Sequence, residues 1–232
     1  MTVVTFAMSG ESREFRRRVR NRPDLVVMHC GVGLEMAARS AEMFLKEYQP
    51  KAVVCAGYAG GLCPELPRGG LVVATEGSSP NWVDRARQVA ARRRLGEAEV
   101  RFGRVASERR VVESVGEKQR LYRETGALAV DMETEALREA CLAAGVEFLA
   151  VRVVSDPAWE PMPVPMEAWF DLVRQRARPF RLLRYLMANP GAAVPFVRFA
   201  CGLKGVGAGL ASFLVELVDE RGVGEAGGTK KV

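Results

Sequence analysis

Short, unbroken apolar runs recur through the first two-thirds of the chain, separated by charged stretches and by glycine or proline. Residues 2–8 are rich in β-branched side chains and read as a buried first strand. Residues 11–20 are charged and helical, and 25–30 read as a second strand that ends in Gly31-Val-Gly33. Leu34, Ala37, Ala38, Ala41, Phe44, Leu45 and Tyr48 then follow helical spacing, closed by Pro50. Residues 52–56 form another buried run, which passes into Gly57-Tyr-Ala-Gly-Gly61, read as a glycine-rich turn. Further strands are expected at 71–75, 127–131 and 148–155, with a helix over 133–144, while 78–104 shows no clear period. Strands without alternation are buried on both faces. Alternating with helices, they predict an α/β layer fold around a largely parallel sheet.

From about Trp159 the texture changes. Pro157, Pro161, Pro163 and Pro165 mark an extended connection. Three regions follow: a catalytic domain over 1–175, a basic and apolar helical extension over 176–221, and a tail over 222–232 expected to be disordered. The extension sets Phe180, Leu183, Phe196 and Phe199 among scattered arginines. Two readings of 180–218 stay open: an interfacial helix pair at a membrane or lipid tail, or helices packed on the core or on a sister subunit.

Composition narrows the classes. At 232 residues with 48% apolar side chains, the chain can bury a substantial core. The net charge is +6, with arginine supplying 28 of the 34 basic residues. A solvated, arginine-biased surface accounts for this, and no nucleic-acid partner is expected. Cys30, Cys55, Cys63, Cys141 and Cys201 form no Cys-x-x-Cys, and their number is odd, which suits reduced thiols in the cytoplasm. With His29 as the single histidine, neither a metal site nor a histidine-based triad is expected. The first apolar run is too short for a signal peptide, and no charge-free stretch of spanning length is evident.

Two motifs carry the chemistry. Ala129-Val-Asp-Met-Glu133 places a carboxylate where a strand passes into a helix, and Val153-Val-Ser-Asp156 places another at the next strand end. In layered α/β sheets, ligands gather at such ends. Either acid alone could be structural: Asp156 could cap the next turn, and Glu133 suits a helix's first turn. Together with Phe6-Ala-Met-Ser-Gly-Glu11, Gly31-Val-Gly33 and Gly57-Tyr-Ala-Gly-Gly-Leu62, these blocks resemble the nucleoside phosphorylase/nucleosidase superfamily. The likeness spans roughly residues 3–157. It implies a three-layer α/β/α fold with a twisted, mostly parallel but mixed sheet. Lys118-Gln-Arg-Leu121, Thr125-Gly-Ala127 and Arg152-Val-Val-Ser-Asp-Pro-Ala158 are similar to a bacterial branch named hopanoid-associated phosphorylase, whose members are thought to remove adenine from a lipid-linked adenosyl precursor.

The resemblance implies cleavage of the N-glycosidic bond of a purine nucleoside, adenine being the expected base. Asp156 would give a proton to the leaving base, and Glu133 would hold the ribose hydroxyls, with Met132 against the sugar. Tyr58, Ala59, Gly60, Val111 and Ser155 would complete the substrate site. Glu11 would activate water in a hydrolase; the alternative is a solvated charge on the first helix. Gly57 and Arg13 would serve the nucleophile, phosphate or water. Phosphorolysis is the leading expectation, with inorganic phosphate as co-substrate and no other cofactor. The alternatives are a hydrolytic nucleosidase of the methylthioadenosine/adenosylhomocysteine type and a non-catalytic nucleoside or nucleic-acid binder. Departures from the phosphorylase pattern weaken the phosphate argument: Cys55 and Tyr58 stand where an arginine and a serine or threonine are usual, and Gly69-Gly70 replaces a Gly-Asp. A homo-oligomer is expected, in the cytoplasm or peripheral to the inner face of the membrane.

Overall fold

The computed structural model describes residues 1–219. The tail expected to be disordered, 222–232, lies outside the described residues. The chain runs β1 (Thr2–Phe6), α1 (Ser9–Arg18), β2 (Leu25–His29), α2 (Leu34–Tyr48), β3 (Ala52–Gly61), β4 (Leu71–Ala74) and α3 (Pro80–Arg92). It continues through β5 (Val100–Gly103), β6 (Val105–Ser107), α4 (Val115–Thr125), β7 (Ala129–Asp131), α5 (Thr134–Ala143) and β8 (Glu147–Asp156). The short α6 (Met166–Trp169), β9 (Phe170–Asp171) and β10 (Arg176–Ala177) lead to α7 (Pro179–Ala188) and α8 (Ala193–Leu217). The stretch 78–104, without a readable period, contains α3 and β5.

The main sheet has the order β2-β1-β3-β8-β4-β5, with β7 beside β3 and β6 beside β7. It is mixed: β3 pairs parallel with β1 and β8, while β4 lies antiparallel to β8, and β7 antiparallel to β3. Period-two geometry divides each apolar run between two helical layers. Val4, Val54, Val151 and Val153 face α1, α3 and α8, where they meet Phe15, Val89, Phe213 and Leu214. Val3, Val53, Cys55 and Ala150 face α2 and α5, where they meet Ala41, Phe44, Leu137 and Cys141. The three layers expected are present.

One expectation is corrected. Gly57–Gly61 is not a turn: β3 runs through it and pairs with β8 as far as Asp156, with one register shift at Ala59/Gly60. The glycines make room for neighbours. A Cβ at Gly61 would come within 3.0 Å of Val154 Cγ1 and 3.3 Å of Pro157 Cα. The described part of 176–221 is largely helical, and packing on the core, one of the readings open for 180–218, applies to the second half of α8. The second half of α8 lies in the main core through Val206, Leu210, Phe213, Leu214 and Leu217. Composition alone would let 190–217 cross a membrane, yet this half is committed to protein packing. Leu214→Ala should therefore lower the unfolding free energy by about 3 kcal/mol in urea. An unchanged urea midpoint would contradict the core position.

Candidate active site

One cavity of about 690 Å³ lies at the carboxyl ends of β3 and β8. Glu11, Glu133 and Asp156 all line it, as do Arg13, Tyr58, Ala59, Gly60, Val111, Met132 and Ser155. Every expected site residue except Gly57 thus shares this space. Gly57 sits behind the wall, where a Cβ would meet Arg152 Nη1 at 2.6 Å and Glu11 Oε2 at 3.0 Å. Its missing side chain leaves room for the guanidinium and the carboxyl to approach each other. His29 is exposed at the end of β2, its Nε2 2.8 Å from Ser12 Oγ.

Arg152, in the middle of β8, is buried and organises the acids. Its Nη2 lies 2.6 Å from Asp131 Oδ2, 3.9 Å from Glu133 Oε2 and 2.9 Å from Cys55 Sγ. It also donates to Thr134 Oγ1. Burial by itself would lower the Arg152 pKa, but Asp131 and the neighbouring acids raise it on balance, so the guanidinium stays charged. Asp131 is structural: it accepts from Ser107 Oγ at 2.6 Å and from the N–H groups of Glu133 and Thr134 at 3.3 Å, holding the entry to α5. Glu133 Oε1 accepts the Gly33 N–H at 2.9 Å. That amide is aimed by Gly31 and Gly33, whose φ values of +79° and +100° suit glycine.

Glu11 lies in the first turn of α1 and is buried, its Oε2 accepting the Ala7 N–H at 3.2 Å. Burial pushes its pKa up to about 7, against the opposing pull of Arg152. The Glu133 carboxyl is also raised, first by burial and then by Asp131. One guanidinium thus serves three carboxyls, leaving an excess of acid that favours protons on Glu11 or Glu133 near neutrality.

Asp156 ends β8, and burial raises its pKa while Lys118 opposes the rise. Lys118 Nζ lies 2.6 Å from Asp156 Oδ2 and also reaches the backbone oxygens of Asp156, Pro157 and Glu160 at 3.2, 3.0 and 2.7 Å. Four acceptors saturate the three ammonium protons of a fully buried lysine. Ser155 Oγ donates to Asp156 Oδ1 and so fixes the other carboxyl oxygen. Tyr58 reaches across the cavity to α8, donating to the Leu203 carbonyl at 3.3 Å; the hydroxyl would lie 2.9 Å from a Cβ at Gly207.

Arg152, Lys118 and Asp131 have no role that their local sequence pattern assigns. A basic residue in a buried strand run was the available signal for Arg152. For Lys118 the signal was the Ser114-x-x-Glu117 capping box that fixes the start of α4 just before it.

Against this geometry, the description "Phosphorylase superfamily" matches residues 6–77 and 77–184. The chain belongs to the phosphorylase superfamily. Among relatives in this superfamily, the 5′-methylthioadenosine/S-adenosylhomocysteine nucleosidase of Marinomonas sp. (strain MWYL1) is 24% identical over 180 residues, 66% of this chain and 77% of the relative. That of Shewanella oneidensis is 26% identical over 172 residues, covering 63% and 72%. The same fold occurs in the Helicobacter pylori methylthioadenosine/adenosylhomocysteine nucleosidase crystallised with butyl-thio-DADMe-Immucillin-A. The TM-score is 0.72 and the identity 19%, over 94% of this chain and 97% of that one. Futalosine hydrolase of H. pylori gives a TM-score of 0.71 at 18% identity, with the same coverage. The two sequence relatives are named nucleosidases, and none of these four proteins bears the hopanoid-associated name.

Two measurements probe the electrostatics. Glu11 binds a proton more tightly folded, at a pKa of about 7, than unfolded, at 4.5. Between those values the folded state holds the extra proton, so stability declines as pH rises through the window. Glu11→Gln should therefore gain in Tm relative to the native chain between pH 4.5 and pH 8; a difference independent of pH would refute the burial effect. Lys118→Gln removes the cation that lowers the Asp156 pKa. The high-pH limb of base release should move upward, and a fixed limb would show that Asp156 is not the titrating acid.

Proposed function

We propose that this enzyme hydrolyses the N-glycosidic bond of a purine nucleoside, adenine being the base. The observation that carries the reading is the meeting of Glu11, Glu133 and Asp156 in one cavity, the first two held around a buried arginine. Bond cleavage develops positive charge on the sugar and negative charge on the base. Asp156, whose pKa burial raises against the pull of Lys118, supplies a proton to the base, and Ser155 and Lys118 fix its two oxygens. Glu133, with one oxygen tied to Gly33, has acceptor capacity left for the ribose hydroxyls and lies close to the developing cation. Glu11 takes a proton from the attacking water, a task suited to a carboxyl poised near neutrality.

Hydrolysis is supported better than the phosphorolysis expected from the sequence. Arg152 is already engaged by Asp131 and Thr134, and three acids share its surroundings, which disfavours a further anion such as phosphate. The relatives point the same way by name. Both nucleosides in their names carry a thioether sulfur at the 5′ position, with a methyl group in methylthioadenosine, and the cavity continues along Met162, Met166, Trp169, Phe199 and Leu203. A thioether suits such a wall. The larger lipid-linked adenosyl group expected from the hopanoid-associated likeness rests on this apolar wall alone.

The test is direct. Incubation with 5′-methylthioadenosine, S-adenosylhomocysteine and adenosine should release adenine at the same rate with and without phosphate, and yield no ribose 1-phosphate. Asp156→Asn should lower the rate by about 10²–10⁴-fold while nucleoside binding persists. Release that requires phosphate would establish phosphorolysis, and no release from any nucleoside would favour the binder reading.

A further inference from the structure

We propose that α7 and the first turns of α8 form a docking surface for an anionic lipid bilayer. Between Asp171 and Glu216 the chain contains no acidic residue, yet it carries seven basic ones, including Arg181, Arg184, Arg198 and Lys204. The same stretch exposes large apolar side chains. Phe180, Leu183 and Met187 are 86%, 57% and 76% exposed, and Val194 and Val197 are 62% and 57% exposed. Positions 180, 183 and 187 recur at helical spacing along one face of α7. No residue of α7 is buried, so nothing within the described residues covers that face.

A helix that leaves its apolar row in water has a partner to find. The chemistry of the surroundings selects among partners. A second copy docking through the same face would bring two such basic stretches together, which like-charge repulsion opposes. A nucleic acid would pair with the arginines and leave phenylalanine, leucine and methionine wet. An anionic bilayer satisfies both features: acyl chains receive the apolar row, and head groups meet the arginines beside it.

The location gives the surface a consequence. α8 exposes Val194 and Val197 in its first turns, and lines the active-site cavity with Phe199, Leu203 and Lys204 just beyond. Val197 and Leu203 are separated by roughly 9 Å along the helix axis. A bilayer docked on this face therefore lies beside the α8 wall of the cavity. The second half of α8, buried in the core, anchors the surface to the catalytic layer.

The experiment is co-sedimentation of the full chain with vesicles. It should bind vesicles of equal phosphatidylglycerol and phosphatidylcholine at low salt, and bind phosphatidylcholine alone far more weakly. Phe180→Ser/Leu183→Ser/Met187→Ser should weaken binding by roughly tenfold or more. Arg181→Gln/Arg184→Gln, which spares every apolar contact, should weaken it roughly thirtyfold. Neither variant touches the cavity, so cleavage of a soluble nucleoside should match the native rate and certify folding. Three results would overturn the proposal: no binding to the anionic vesicles, equal binding to both vesicle types, or native-like binding by both variants. So would a concentration-dependent dimer in sedimentation velocity that the triple serine variant abolishes, because the face would then belong to a second copy.

Discussion

A single buried guanidinium governs the catalytic end of this molecule. Arg152 sits within β8, without access to water, and is tolerable there only because Asp131, Thr134 and Cys55 surround it. Its charge in turn permits carboxyls to be buried nearby. Asp131 takes the shortest contact and fixes the start of α5, while Glu133 and Glu11 remain under-compensated. That imbalance is useful chemistry. A fully paired carboxylate would be a poor base, whereas one held near neutrality by burial can exchange a proton at physiological pH. Removing the guanidinium would strand three acids in a dry site, so structure and reactivity here depend on the same charge.

The backbone around it is shaped for close approach. β3 stays paired with β8, with one register shift at Ala59/Gly60, because glycines at 57, 60 and 61 leave room for Arg152, Glu11, Asp156 and Pro157. A second basic residue repeats the logic at the strand end. Lys118, buried with four oxygen acceptors, pins Asp156 and the chain that follows it. The cavity is thereby given two separate cations, one near Glu133 and Glu11 and one beside Asp156. Their separation lets the environments of Glu133 and Asp156 be set independently.

α8 links this site to the rest of the molecule in two ways. Its second half supplies core side chains to the layer formed with α1 and α3. Its middle carries Leu203 and Gly207, which receive the Tyr58 hydroxyl and close one side of the cavity. Its composition, largely apolar with Arg198, Lys204 and Glu216 as its charged residues, is therefore shared between a protein interior and a surface that the fold leaves uncovered. The same helix read from composition alone passes for a membrane span.

Much of this was legible in the residues themselves. Unbroken apolar runs, buried on both faces, dictate a layered α/β sheet, because strands of that kind need helices on each side. The blocks ending in Glu133 and Asp156 fall at strand ends, where such sheets bind ligands, and Glu11 opens the first helix just after a strand. Only the tertiary structure decided which charges meet. Arg152 lies 97 residues from Cys55 and Lys118 lies 38 residues from Asp156, and neither pairing has a local signal. It also decided that the glycine run is a strand rather than a turn, and that half of an apparently appended helix belongs to the core. Local pattern fixes what a segment can be, because periodicity and turn chemistry act within a few residues. Burial, charge pairing and the fate of an apolar face depend on neighbours brought together by folding, and those are properties of the assembled chain.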